Sequence, residues 1–420
     1  MLKQNVERKL THLFDSSNLN VYDSEVLNLG VGAPGPDLLQ KCCDIFQEAT
    51  AHCMNQAKKS NSSLIFQYGP TCGIYEARFA IAKYLTFRYS SEVKTEDLIL
   101  TTGATQGLHL ILSTLVDLSG FVFVDEVTYT CAPNVIKQFP ALTLLPVKLN
   151  EDGVDLFELK EMFKTRRFQS TTKEFWGMYY TIPTYHNPTG ILFSKSVCQG
   201  IIKLAREYDV LICCDDVYNI LHYKDGPSPK RLFAYDKCAD SCFRGNVISN
   251  CSFSKIIGPG VRLGWLEVPG RIKPILESSG VLVSGGCPNN YTAGIVSSLY
   301  ELGLAQKHVQ FLCDTYKERM LATCAILALE LPKTCVMLKP HGGYFIWIRL
   351  PTDTNASDFL QFCLLEEKIF FIAGSTFSVN NTAKNCFRIA ISFHNKDKLI
   401  DGTARLCSAL KKYLNKTTVV

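Results

Sequence analysis

The sequence contains no run of eighteen apolar residues, so no transmembrane helix is expected. Its opening stretch, MLKQNVERKLTHLFDSS, lacks the apolar core of a secretory signal, and Glu7 and Asp15 argue weakly against a mitochondrial transit peptide. There is no long basic run, and the formal net charge is only +5 over 420 residues, so nucleic acid is not a favoured partner. Internal repeats and low-complexity segments are also missing. Cys238 and Cys242 lack the histidine or second cysteine pair that a zinc site needs, so no metal is expected. With 20% charged and 47% hydrophobic residues, disorder is disfavoured and a large core is affordable, in two or three domains by length. Cysteine is plentiful at 18 residues, scattered beside apolar neighbours as in Cys42-Cys43 and Cys213-Cys214. These read as reduced thiols packed as small hydrophobes, with the cytosol as the expected compartment.

From about residue 98 strand-like and helix-like pieces alternate. LILTTG (98–103), FVFVDE (121–126), LTLLPV (142–147), WGMYYTIP (176–183), VLICCDD (210–216), NVISNCSFSK (246–255) and LGWLEVP (263–269) are short apolar runs. Helical patterns lie between several of them, as at 155–165 and 195–208. Continuous apolar runs of this length indicate buried, mostly parallel strands, hence an α/β sheet with helices on both faces. After residue 290 the pattern changes. Val309, Leu312, Tyr316, Met320, Cys324, Leu327 and Leu331 recur at helical spacing until Pro332, and strand-like 341–351 and 387–393 flank a helical 356–367. The expectation is a segment 1–54 packed on a small C-terminal α+β domain 306–420, with a large domain 55–305.

Polar residues cluster just past the strand ends, where open α/β sheets bind ligands. Lys255, in SFSKIIGPGVRLG, follows an apolar run. A surface lysine in a turn is the bland reading. A half-buried amine near Arg262 would instead lose charge near neutral pH, as a Schiff-base lysine must, while Ser252, Ser254 and Arg262 offer donors to a phosphate. Asp215 and Tyr218 in CCDDVYN are either a helix cap and its neighbour, or a carboxylate and a hydroxyl placed to hold a proton and an oxygen on a buried ring. Asn187 heads an Asn-Pro-Thr-Gly turn whose X-Pro bond could be cis. Gly103, Ala104 and Thr105 stand where a strand becomes a helix, a common turn and also an anion site. Tyr129 is either a core tyrosine or a ring that stacks on a planar ligand. Arg388, inside the apolar CFRIAIS, is either one half of a structural ion pair or a bidentate grip on a carboxylate.

Taken in order, these motifs resemble the class I/II aminotransferases of fold type I, which depend on pyridoxal 5'-phosphate, and within them the kynurenine/α-aminoadipate branch. QYGPTCGIYEAR (67–78), GGYFIWIRLP and SKIIGPGVRLGW share that character, and the likeness runs from about Asn28 to Phe393. The resemblance implies a seven-stranded large domain, a ping-pong transfer from amino acid to 2-oxo acid, and these roles. Lys255 holds the cofactor as a Schiff base and moves the proton. Asp215 keeps the pyridine nitrogen protonated, and Asn187 and Tyr218 bond the phenolic oxygen. Tyr129 stacks on the ring. Gly103, Ala104, Thr105, Ser252, Ser254 and Arg262 form the phosphate site. Arg388 binds the substrate α-carboxylate beside Gly32. Tyr68 reaches the neighbouring subunit's phosphate in a homodimer. Ala104 and Thr105 depart from the residues common in the phosphate loop, and Val127 replaces a frequent proline. A C–S lyase or other elimination on the same scaffold is the alternative activity. A cofactor-sensing regulator would carry a DNA-binding domain, for which the residues before Asn28 are too few.

Overall fold

The computed structural model describes residues 25–417, apart from 224, 225, 287, 339 and 341. Glu7, Asp15 and the rest of the first 24 residues, part of the expected N-terminal segment, lie outside the described residues. Among the described residues no helix is long and apolar enough to cross a membrane, and no group of side chains could hold a metal ion. Seventeen cysteines are described and none of them forms a disulfide; most are buried, while Cys43, Cys131, Cys238 and Cys242 are exposed.

Seven strands form the central sheet. They are β1 (Leu98–Thr101), β2 (Val116–Asp125), β3 (Thr143–Val147), β4 (Phe175–Thr181), β5 (Leu211–Asp215), β6 (Val247–Ser252) and β7 (Gly264–Glu267). Their spatial order is β1-β7-β6-β5-β4-β2-β3. Every pair from β6 to β3 is parallel, while β7 runs antiparallel to both β1 and β6. All residues of β1, β4, β5, β6 and β7 are buried, because helices cover both faces. One core cluster joins Tyr84, Leu108, Ile111 and Val296 to one side of the sheet. The other joins Leu159, Phe163, Ile201 and Leu204 to the opposite side. Helix starts are marked as their sequences suggest. Asp155 accepts from the backbone N–H of Phe157 and Glu158, and Ser194 from that of Val197, each satisfying donors a helix leaves open.

The direction of β7 matters for the site. Gly264 at its start lies opposite both Thr101, ending β1, and Ser252, ending β6. The chain entering β7 therefore arrives at the same sheet edge that β1 and β6 leave, and brings Arg262 to Gly103 and Ser252.

The second unit is a four-stranded antiparallel sheet in the order Val336–Leu338, Phe345–Arg349, Cys386–Ala390, Ile372–Ala373. The 27-residue helix Leu304–Glu330 and the helix Lys396–Thr417 pack on each other beside it. Arg388 occupies an inner strand, opposite Trp347 and Ile372. Leu27–Asn28 pairs in parallel with Ile369–Phe370, and Ala390 donates its N–H to the Leu29 carbonyl at 2.7 Å. This arm carries Gly30 and Gly32 past Arg388. The helix Pro36–Lys59 that follows packs on Asn290–Glu301.

Candidate active site

Residue parity decides which acid of Asp215-Asp216 faces the site. Side chains alternate along a strand, and paired residues of neighbouring strands share a face. Tyr180 pairs with Cys213, so Tyr180 and Asp215 project from one face, and the Tyr180 hydroxyl donates to Asp215 Oδ2 at 2.5 Å. Asp216 faces the other way and accepts from Ser249 Oγ at 2.5 Å. Burial pushes the Asp215 carboxyl up to about 6, against the Tyr180 hydrogen bond and the Lys255 charge, which favour its ionised form. Its second oxygen, Oδ1, is buried with no hydrogen-bond partner.

Lys255 ends a short 3₁₀ turn after β6, where the Ser252 side chain accepts from Ser254 N–H at 3.1 Å. Its amine donates to the Gly32 carbonyl at 2.8 Å. Desolvation first and the Arg388 charge second bring its pKa down to about 8, so about a tenth is uncharged at pH 7 and about half at pH 8. The depressing cation is thus Arg388 from the small sheet, rather than its sequence neighbour Arg262. Tyr344 supports the turn by donating to the Lys255 carbonyl at 3.0 Å.

Arg388 is 5% exposed and makes no ion pair with an acid among the described residues. Nη1 donates to Asn187 Oδ1 and Nη2 to the Gly30 carbonyl, both at 2.6 Å, and Nε has no partner. The guanidinium lies 4.1 Å from the Phe345 ring centroid and 4.6 Å from that of Phe377. Burial lowers its pKa to about 10. Asn187 precedes Pro188 through a cis peptide bond. Behind the turn, His186 Nδ1 meets Thr189 Oγ1 at 2.8 Å and His186 Nε2 lies 3.3 Å from Asp125, all three residues being buried. Burial raises the Tyr218 hydroxyl, Arg388 lowers it, and a hydrogen bond to Asn187 lowers it further. Tyr129 is raised by burial first, then by Cys131, Tyr218 and Asp215, which places it beside the same group. Gly32 cannot carry a side chain here, since a Cβ would meet the Phe345 ring at 2.8 Å.

The helix Ala104–Leu115 has no side-chain cap, and Gly103 before it has φ +115°. A Cβ at Gly103 would lie 3.5 Å from both Ser252 Oγ and Arg262 Nη2. Open backbone donors at Ala104 and Thr105, one hydroxyl and one guanidinium therefore surround a small space suited to a phosphate. Ser254 Oγ accepts from Ser252 Oγ at 2.9 Å. An unpartnered buried carboxylate oxygen, a depressed amine and this cradle fit the three polar ends of pyridoxal phosphate. Tyr68 stands apart from the rest, 81% exposed and packed against Gly285. No local pattern in the sequence singled out Tyr180, Tyr344, Phe345, Phe377 or the Gly30 carbonyl. Tyr180 was discoverable only through strand pairing, since nothing in WGMYYTIP sets it apart from Tyr179.

The model for aminotransferase class I and II matches residues 24–406. Aromatic-amino-acid aminotransferase 1 of Thermococcus litoralis is 28% identical over 397 residues, spanning 94% of this chain and 90% of the relative. The 2-aminoadipate transaminase of Thermus thermophilus is 25% identical over 93% of this chain and 91% of its own. The crystal structure of Pyrococcus horikoshii kynurenine aminotransferase, solved in complex with PMP, is similar with a TM-score of 0.80 and 27% identity, covering 98% of this chain and 97% of that one.

Proposed function

The chain belongs to the class I and II aminotransferases, pyridoxal-phosphate-dependent enzymes that move amino groups between amino acids and 2-oxo acids, and on that premise we propose that the cluster around Lys255 is where it does so. The Asp215 carboxylate carries this reading, because its buried Oδ1 has no partner within the chain and the group lies within reach of the Lys255 charge. The C–S lyase alternative is not favoured by these relatives.

Pyridoxal phosphate, when bound, supplies a conjugated ring that accepts the electron pair released at the substrate Cα. The work of this chain is to place that ring and to move the proton. The N–H groups of Ala104 and Thr105, with Ser252, Ser254 and Arg262, hold the phosphate. Asp215, ionised above about pH 6, keeps a proton on the ring nitrogen. Tyr218 and Asn187 serve the ring oxygen, and Tyr129 covers a ring face. The Lys255 amine, uncharged in part near pH 8, attaches the cofactor and then carries the proton from Cα. Arg388, with Nε and the remaining Nη hydrogens free, takes the substrate α-carboxylate beside Gly32.

In the same proposal residues 55–305 are the cofactor-binding domain and 306–420 the smaller one, on which the N-terminal segment packs through the Leu27–Asn28 pairing. The functional unit is a homodimer in which Tyr68 serves the other copy's phosphate. Leu64, Phe66, Tyr68, Tyr75 and Phe79 support this, since each leaves much of a large apolar side chain exposed in the single chain. Cysteines that form no disulfide among the described residues suit the cytosol. A panel of amino acids, aromatic and aminoadipate first, is to be run against 2-oxoglutarate and pyruvate while released ammonia is followed. Amino-group transfer without ammonia is expected. Ammonia released without any added 2-oxo acid would overturn the reading in favour of elimination.

A further inference from the structure

We propose that Tyr180 is a positioning residue of the transfer reaction: its hydroxyl occupies one oxygen of Asp215 so that the other is turned, ionised, toward the cofactor's ring nitrogen. The proposal rests on the assignment of Asp215 to that nitrogen. It comes from three observations. Tyr180 lies on β4 and Asp215 on β5, and the register puts both on one face of the sheet. The hydroxyl meets Oδ2 at 2.5 Å, while Oδ1 of the same carboxylate is buried and unpartnered. Tyr180 itself is fully buried, so no water competes for the bond.

A carboxylate at a strand end has freedom about its side-chain torsions and two equivalent oxygens. Fixing Oδ2 removes that freedom and leaves a single acceptor direction open. The bond also acts on charge, because a hydrogen bond to the ionised form favours it. The other titratable groups that act on Asp215 are Cys213 on its own strand, Asp216 from the opposite face, Tyr129 after β2, Tyr218 after β5, and Lys255 after β6. Asp216 raises the proton affinity of Asp215 and Lys255 lowers it, while Tyr180 contributes the largest favourable influence after the cost of burial. Without Tyr180, burial dominates and Asp215 takes up a proton at a higher pH.

The test is Tyr180→Phe, which removes one oxygen and keeps the ring, with Tyr180→Met as an independent donor-free variant and Asp215→Asn as the reference. Two profiles are read against pH on folded protein, checked by far-ultraviolet circular dichroism. One is the dissociation constant of pyridoxal phosphate from the apoenzyme, and the other is kcat/KM of the holoenzyme. Loss of a hydrogen bond to a charged group should move the acid limb of both profiles up by about one to two pH units. At pH 7 that is about a two- to tenfold loss, recovered near about pH 9. Asp215→Asn should lose activity at every pH. A Tyr180 variant with an unmoved acid limb, or with a loss uniform in pH, overturns the role of Tyr180 while leaving Asp215 in place. A fully active Asp215→Asn overturns the assignment of Asp215 and this proposal with it.

Discussion

Replacing Arg388 by lysine keeps a positive charge in the site and removes the planar fork. The guanidinium has five N–H donors, of which one goes to Asn187 Oδ1 and one to the Gly30 carbonyl. Nε and the remaining hydrogens are left to hold a carboxylate through two parallel bonds. An ammonium has three donors on one atom, so after meeting the same two protein oxygens it retains one. The substrate loses one charge-assisted hydrogen bond, worth about 1.5–3 kcal/mol. At about 1.4 kcal/mol per factor of ten, kcat/KM should fall about tenfold to about 150-fold. Most of the loss should appear in KM, and for both substrates, since on the proposed assignment the amino acid and the 2-oxo acid bring the same carboxylate to the same arginine. The assay is steady-state ping-pong kinetics with both substrates varied, beside an amine donor lacking the carboxylate, whose rate should not change. An unchanged KM would refute the grip. So would an equal loss for the carboxylate-free amine, which would make Arg388 a support for the Phe345 and Phe377 rings it touches.

Lys255→Ala should leave the fold intact and abolish both turnover and the cofactor mass retained after borohydride reduction; turnover at the wild-type rate would refute the lysine's role. Because desolvation and Arg388 hold the Lys255 amine down to about 8, its uncharged fraction grows as pH rises through that value. The rate at which added pyridoxal phosphate couples to apoenzyme should therefore climb from about pH 7 to about pH 9 and then level, whereas a midpoint near the ordinary lysine value of about 10.4 would show the amine unperturbed. Phe66→Asp with Phe79→Asp places charge at two exposed apolar positions and should lower the dimer fraction in sedimentation together with cofactor affinity. A wild-type chain that sediments as a monomer at full activity would refute the shared site.

The strands of the central sheet were legible in the sequence because buried parallel strands are short, continuous and apolar; the helix Leu304–Glu330 was legible because its apolar residues recur at helical spacing. These are local signals. So is the chemistry a residue offers: a lysine after an apolar run, an arginine inside one, a glycine where a strand turns into a helix. The order of such residues along the chain was enough to suggest a family. What tertiary structure alone decided is pairing. Whether Asp215 or Asp216 shares the face of Tyr180 depends on the register of β5 against β4 and β6, and a one-residue slip would exchange them. Tyr180 matters because of that same register, while the adjacent Tyr179 reaches Asp125 on the other face. Arg388, and not the nearer-in-sequence Arg262, depresses Lys255, because the small-sheet strand that holds it brings it to Asn187 past the end of β4. The carbonyls of Gly30 and Gly32 reach Arg388 and Lys255 across more than 200 residues of chain, and no local pattern records a backbone oxygen's destination. Residue type and order determined what chemistry this protein has available; the meeting of distant strands, set by burying apolar faces, decided which atoms perform it.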